Sequence, residues 1–522
     1  MSLESTVAEA SIEQSLKQFL IVLSVSLSVA TLSRIFSWFR KIPYTLLLVI
    51  VGLGLAFVNI RLVNLSPELI LEIFLPPLLF EAAWNINWRE LKANWLPVIL
   101  FAVAGVIISV LGISFALSSF TSISLATALL VGASLSATDP VSVVALFREL
   151  GAGKRLTVLM EGESLFNDGV AVVAFVLLVG IPLGIEDFSL PTTITRFAAF
   201  VGVGVGIGCL VGFGISYLTQ RFDIPLVEQS LTLVSAYGTY LITEELGGSG
   251  VIGVVTVGII LGNFGSRIGM NPRTRLLVSE FWEFLAFFVN SIVFLLIGDQ
   301  IEFGSLANNL DLIFVAIAAV LLTRIVVIFG LGAIANLFTP EKIGLREQTV
   351  LWWGGLRGSV SIALALSVPV ILDGRQDIID TVFGVVLFTL LIQGLTTQVF
   401  LEKLDLIGDQ PIRQQYSEAL ARREALNRVL VYLADAKISP EIDLDYYNYQ
   451  QQLVKAQLEK TEEEIHNLQK EHPQLQQLNI EQLREKMLDI EAETYAEFIR
   501  AGRLSKRLSP VVQQIMAEAE EH

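Results

Sequence analysis

Residues 160–175 read MEGESLFNDGVAVVAF, and the apolar run continues to about Gly180. That is long enough to cross a bilayer as a helix. A carboxylate at mid-bilayer costs at least ~2.5–3.5 kcal/mol, and ionisable groups held there usually serve function. Yet this run carries Glu161, Glu163, Asn167 and Asp168. On a helix, Ser164 and Asp168 stand four apart on one face, with Glu161 a turn further back. Glu163 and Asn167 form a neighbouring stripe about 100° around. Two polar stripes on an apolar helix cannot both face lipid, so they are expected to face protein or a wet cavity.

The rest of the chain supplies such neighbours. Hydrophobic residues make up 53% and charged residues 16%, with a mean hydropathy of +0.65, which places the chain among polytopic membrane proteins. Hydropathy predicts an all-α fold of thirteen spans near 19–36, 43–59, 68–84, 96–118, 124–147, 157–180, 195–218, 226–243, 248–265, 277–298, 309–337, 347–371 and 378–400. The spans at 68–84 and 226–243 carry internal charge and give the weakest signal. With the first loop on the cytoplasmic side, that side holds Arg34, Arg40, Lys41, Arg89, Lys92, Arg148, Lys154, Arg155, Arg221, Arg267, Arg273, Arg275, Lys342 and Arg346 before the tail. The outer side holds only Lys17, Arg61, Arg196 and Arg375. This bias predicts an outside N-terminus and a cytoplasmic C-terminus. The acidic start, followed by a first span with Arg34, Arg40 and Lys41 behind it, reads as a retained span and not a cleaved signal.

The expected organisation is an extracytoplasmic segment 1–18, a transmembrane domain 19–405 and a cytoplasmic helical tail 406–522. The tail supplies half of the formal charge of −16, through 15 Lys+Arg against 23 Asp+Glu from residue 401 onward. The charge therefore says little about partners, and no nucleic acid is expected among them. Cys209 is the single cysteine, and His466, His472 and His522 all lie in the tail. No disulfide framework, cysteine metal site or cofactor is anticipated.

Thirteen spans divide into six, one and six, the arithmetic of an inverted repeat. The fifth span of each set is interrupted. One contains GASLSATDPVS, where Pro140 follows Asp139, and the other contains GGLRGSVS, with three glycines around Arg357. Proline removes an N–H and pushes the preceding residue out of the helix, which frees carbonyls one turn back, near Ser136. Paired broken helices mark a transporter's binding site. Asp139 is placed to neutralise N–H groups at such a break, and Arg357 to neutralise carbonyl ends in the partner helix. Arg324, in LLTRIVVIFG, is a second buried cation. Glu163 is the carboxylate available to one of these arginines, and the sequence leaves open which. Asp168 then remains as an unpaired, desolvated carboxylate that can hold a proton or a small cation. Thr138, Ser164 and freed carbonyls supply the hard oxygen ligands that suit an alkali ion. Glu81, in LPPLLFEAAW beside Pro76 and Pro77, either faces the same cavity or lies near the interface. Glu280 and Glu283 are candidates for a cytoplasmic entrance.

The segments EGESLFNDGVAVV, SATDPVSVVALFRELG, LPPLLFEAAW and GGLRGSVSIALAL resemble the signatures of the NhaP/NHE branch of the monovalent cation:proton antiporters. The similarity covers about 20–400, and the tail carries none of it. What the resemblance implies is two inverted six-helix repeats with crossed broken helices, a dimerisation domain and a mobile core. It also implies exchange of sodium or lithium for protons by alternating access in a homodimer. On that pattern Asp168 is the ion and proton site with Asn167 beside it. Thr138, Asp139 and Ser164 match the coordinating neighbourhood, Glu81 an acidic position near the ion, and Glu163 the carboxylate of a stabilising pair with an arginine. An Asn-Asp pair in place of two aspartates is the pattern of the electroneutral branch.

Three other readings compete. A potassium/proton exchanger of the same architecture differs only in cavity size and carbonyl placement. A passive cation channel needs a continuous pore, against the single occluded site of paired broken helices. An intramembrane hydrolase lacks a histidine or lysine in any span to activate Ser134 or Ser136, although an aspartyl dyad of Asp139 and Asp168 is conceivable. A plain cytoplasmic membrane is the simplest location.

Overall fold

The computed structural model describes residues 3–35, 42–58, 62, 66–184, 189–219, 224–266, 270, 272–407, 410–436 and 444–472, with scattered positions beyond. Arg40, Lys41, Arg61, Arg221, Arg267, His522 and most of the tail after 472 lie outside the described residues. Within them the regular structure is entirely helical.

In chain order the helices are α1 (Leu3–Ile35), α2 (Tyr44–Phe57), α3 (69–85), α4 (Trp88–Ala93), α5 (Trp95–Phe120), α6 (Leu125–Ser136), α7 (Val141–Leu150), α8 (Lys154–Leu178), α9 (Leu190–Thr219), α10 (Pro225–Glu245), α11 (Gly250–Gly265), α12 (Pro272–Asp299), α13 (Phe303–Asn308), α14 (Leu310–Phe338), α15 (Leu345–Trp353), α16 (Ser359–Leu366), α17 (Arg375–Lys403), α18 (Gln410–Ala436) and α19 (Leu444–Glu471). Among the described residues, six helical stretches are long and apolar enough to cross a membrane: Trp95–Phe120, Leu125–Arg148, Leu190–Thr219, Arg273–Asp299, Leu310–Phe338 and Arg375–Lys403. Helix α1 already begins at Leu3, so the acidic start of the chain is a continuation of the first apolar helix.

Local chemistry explains several of these elements. Pro76 and Pro77 do not interrupt α3. A wider π-helical turn over Leu69–Phe74 precedes them. Pro77 cannot donate to the Ile73 carbonyl four residues back, and the Tyr237 hydroxyl of α10 donates to that oxygen at 2.9 Å instead. Close helix contacts are made through glycine. On α9, Gly204, Gly208 and Gly212 recur every four residues on one buried face. A Cβ at Gly208 would lie 2.6 Å from Thr256 Cβ, and one at Gly212 would lie 3.0 Å from Ile260 Cβ, both on α11. The other faces of α9 expose Leu210, Phe213 and Tyr217, as a lipid-facing helix does. Likewise α2 crosses α12 at Gly52 and Gly298, where a Cβ on Gly298 would stand 3.0 Å from Gly52 Cα.

The chain separates into two compact units. The first comprises Met1–Arg148 and Ala152–Leu406, the second Glu149–Gly151 and Ile407–His522. In the second, α18 and α19 pack through Tyr416, Ala419, Ile465 and Leu468, and Gln469 donates to the Tyr416 hydroxyl at 2.6 Å.

Candidate functional site

The centre of the first unit is the crossing of two interrupted helices. Helix α6 stops at Ser136, the chain runs extended through Ala137, and α7 starts at Val141. Helix α15 stops at Trp353, and α16 starts at Ser359. The two gaps touch: Asp139 N donates to Leu356 O at 2.9 Å. Helix ends expose unsatisfied groups, N–H at the start and C=O at the finish. Here each kind of end meets the charge it needs. The Asp139 carboxylate accepts from Val141 N at 3.0 Å at the start of α7. It also lies against Gly358, the residue that precedes α16, so closely that no Cβ fits there.

The carbonyl ends are capped by the two buried arginines. Arg357 donates from Nη1 to Ser136 O at 3.3 Å and to Ala137 O at 3.1 Å, at the finish of α6. Arg324, from α14, donates to Leu351 O at 2.8 Å and to Trp352 O at 3.1 Å, at the finish of α15. Arg324 is also the partner of Glu163, with Nη1 to Oε1 at 2.8 Å and Nη2 to Oε2 at 3.3 Å. Both side chains of this pair are almost wholly buried, at 5% and 2% exposed.

Helix α8 presents its polar stripes to this crossing. Asn167 makes a two-point contact with Thr138: its Oδ1 accepts from Thr138 N at 3.2 Å, and its Nδ2 donates to Thr138 Oγ1 at 2.6 Å. Thr138 Oγ1 and Ser164 Oγ share a further hydrogen bond of 2.9 Å. An aspartate at 167 would lack the donor that Thr138 Oγ1 accepts from. Asp168 is buried, and its Oδ1 has no hydrogen-bond partner among the described residues. A buried, unsatisfied carboxylate oxygen is costly unless something else fills its place.

Asp168, Ser164, Thr138 and Asp139 line a cavity of about 500 Å³. Glu81 lines the same space, as do Glu161, Glu280, Glu283 and Arg148. The cavity thus gathers Asp168, Glu81 and the three residues Thr138, Asp139 and Ser164 named around Asp168, while Asn167 is bonded to Thr138. Glu163, Arg324 and Arg357 stand outside the cavity lining and hold the crossing together. Sequence reasoning did not foresee Arg324 as a helix-end cap, nor the ion pair of Arg148 Nη2 with Glu161 Oε1 at 2.6 Å. No spacing in the chain signals either, because both join segments distant along it or across a turn.

The profile described as "Sodium/hydrogen exchanger, transmembrane" matches residues 24–403. The chain belongs to the sodium/hydrogen exchanger family. This exchanger is 67% identical to the Na(+)/H(+) antiporter ApNhaP of Aphanothece halophytica over 521 residues, covering 100% of both chains. It is 61% identical to the low-affinity Na(+)/H(+) antiporter NhaS1 of Synechocystis over 512 residues, covering 97% of each. Its fold is similar to the solved sodium proton antiporter MjNhaP1 of Methanocaldococcus jannaschii, with a TM-score of 0.60 at 19% identity, covering 75% of this chain and 99% of that one. The family is one of multi-pass transporters, in agreement with the apolar helices described above.

Proposed function

We propose that this exchanger is an electroneutral antiporter that trades sodium or lithium for protons, with both competing for Asp168. The observation that carries this reading is the unpartnered Asp168 Oδ1, buried at a cavity that also reaches the Thr138 and Ser164 hydroxyls. One such carboxylate accepts one proton or one cation, so each full cycle moves a single charge in each direction. Sodium is substrate here, held by Asp168, Ser164 and Thr138, with Asp139 and Glu81 contributing negative charge nearby. No cofactor is required.

The paired helix breaks, each with an arginine on its carbonyl end, support two inverted six-helix repeats within thirteen spans and alternating access around a fixed site. In this reading residues 1–18 are extracytoplasmic, 19–405 form the transporter and 406–522 a cytoplasmic helical tail. The protein works as a homodimer in the cell membrane and serves pH homeostasis and salt tolerance.

The test is reconstitution into liposomes with an imposed pH gradient, sodium, lithium and potassium being added in turn while lumenal pH is followed. Collapse of the gradient by sodium and lithium that persists under a potassium/valinomycin clamp supports electroneutral exchange, and Asp168→Asn abolishes it. A response to potassium without ionophore moves the reading to a potassium exchanger. Cation flux without proton movement means a channel. Normal exchange by Asp168→Asn refutes the single-site mechanism.

A further inference from the structure

Six carboxylates line the cavity: Glu81, Asp139, Glu161, Asp168, Glu280 and Glu283. Arg148 is the one cationic side chain among the described lining residues. Its side chain is 59% exposed, whereas Asp168 is 8% exposed, so Arg148 stands at the open side of the cavity and Asp168 at the closed end. Glu161, its partner, lies on the face of α8 that carries Ser164 and Asp168. Seven residues separate Glu161 from Asp168, about 10 Å along the helix. Glu81 lies within electrostatic reach of Arg148, Glu161 and Glu283.

An exposed ion pair of this kind contributes little to stability. Its place in an acidic cleft with apolar walls gives it a different consequence. Carboxylates lining such a cleft concentrate cations before they bind. A guanidinium fixed to the chain occupies that role permanently, since arginine never loses its charge. We infer that Arg148 is a tethered counter-ion that sets the apparent affinity for the transported cation, by neutralising Glu161 and opposing cation entry to the acidic vestibule. The inference rests on the proposed exchange at Asp168 and adds a residue that governs cation access to it.

The size of the effect follows from distance. With the helical rise of about 10 Å between Glu161 and Asp168 taken as the scale of separation, a unit charge at effective dielectric constants of about 80 to 20 changes cation occupancy about 2- to 15-fold at low salt. At about 1 M salt the screening length falls to about 3 Å and the effect vanishes.

The experiment measures sodium-driven proton exchange by the full-length protein in liposomes, with ionic strength adjusted by choline chloride. Arg148→Gln lowers the KM for sodium about 2- to 15-fold at low salt, and the difference closes at high salt. Arg148→Lys keeps the wild-type KM. Glu161→Gln removes one negative charge from the vestibule beside the guanidinium and raises the KM. The double variant Arg148→Gln/Glu161→Gln restores the vestibule charge and returns the KM towards wild type. A merely structural ion pair would lower yield or kcat in both single variants and leave KM insensitive to salt. An unchanged or raised KM in Arg148→Gln, or a change that survives high salt, overturns the inference. Should Arg148→Gln not be recovered, Glu161→Gln decides: a salt-sensitive rise in KM supports the tethered counter-ion, and an unchanged KM overturns it. Wild-type vesicles with no sodium-driven proton movement would refute the exchange reading itself, a result distinct from any of these.

Discussion

Removing the Glu163 carboxylate by substitution to alanine strands a guanidinium in the protein interior. The Arg324 side chain is 5% exposed, and Glu163 is its only carboxylate partner among the described ion pairs. Truncating one side of a buried pair costs about 3–5 kcal/mol, because the remaining charge is left uncompensated. Arg324 keeps its bonds to Leu351 O and Trp352 O, so Glu163→Ala belongs at the lower end of that range. Glu163→Gln costs less, since the amide oxygen still accepts from Nη1. Arg324→Met costs most: it buries an unpaired carboxylate and also uncaps the α15 carbonyls, at about 1–3 kcal/mol for each group left unsatisfied. The double variant Glu163→Leu/Arg324→Met removes both charges and is less destabilised than Arg324→Met alone. Thermal unfolding of the purified proteins in detergent, followed by tryptophan fluorescence, orders the four variants. Glu163→Ala as heat-resistant as wild type, or a double variant weaker than Arg324→Met, refutes the account.

Three further outcomes follow from the same geometry. Gly358→Ala drives a Cβ into the Asp139 carboxylate and abolishes exchange in liposomes while the protein still inserts, as yield and gel filtration report. Thr138→Val deprives Asn167 Nδ2 and Ser164 Oγ of their shared partner and removes a proposed cation ligand; the KM for sodium rises about tenfold or more, in line with the loss of one buried hydrogen-bonding group. Gly208→Leu overpacks the contact of α9 with Thr256 of α11 and lowers stability by about 1–3 kcal/mol, read as a fall in the detergent unfolding temperature.

The polar stripes of α8 were legible because a helix in lipid has a fixed 3.6-residue geometry and a carboxylate there has few alternatives. The breaks at Pro140 and around Gly354–Gly355 were legible for the same reason, since proline and glycine act on their own backbone. What the chain could not disclose is which distant segment supplies each partner. Glu163 had two arginines within reach on chemical grounds, Arg324 and Arg357, and only the packing of α14 behind α15 gives the bond to Arg324. Glu81 had two settings, and the continuous course of α3 past Pro76 and Pro77 puts it in the cavity lining. The carbonyl that Pro77 leaves unserved is met by Tyr237, 164 positions away, which no local reading of the prolines anticipates.

The crossing of the two interrupted helices has a mechanical consequence. Ala137 O accepts from both Arg357 and Ser361, and Asp139 N donates to Leu356 O, so neighbouring residues of one gap are fastened to the other gap and to the first turn of α16 at three points. Sliding one past the other would rupture all three together, at about 0.5–1.5 kcal/mol for each neutral bond and about 1.5–3 for the guanidinium. The two gaps therefore travel as a single cartridge. Under the exchange proposed at Asp168, a displacement that exposes this residue to one aqueous face and then the other would be taken up around that cartridge and not within it.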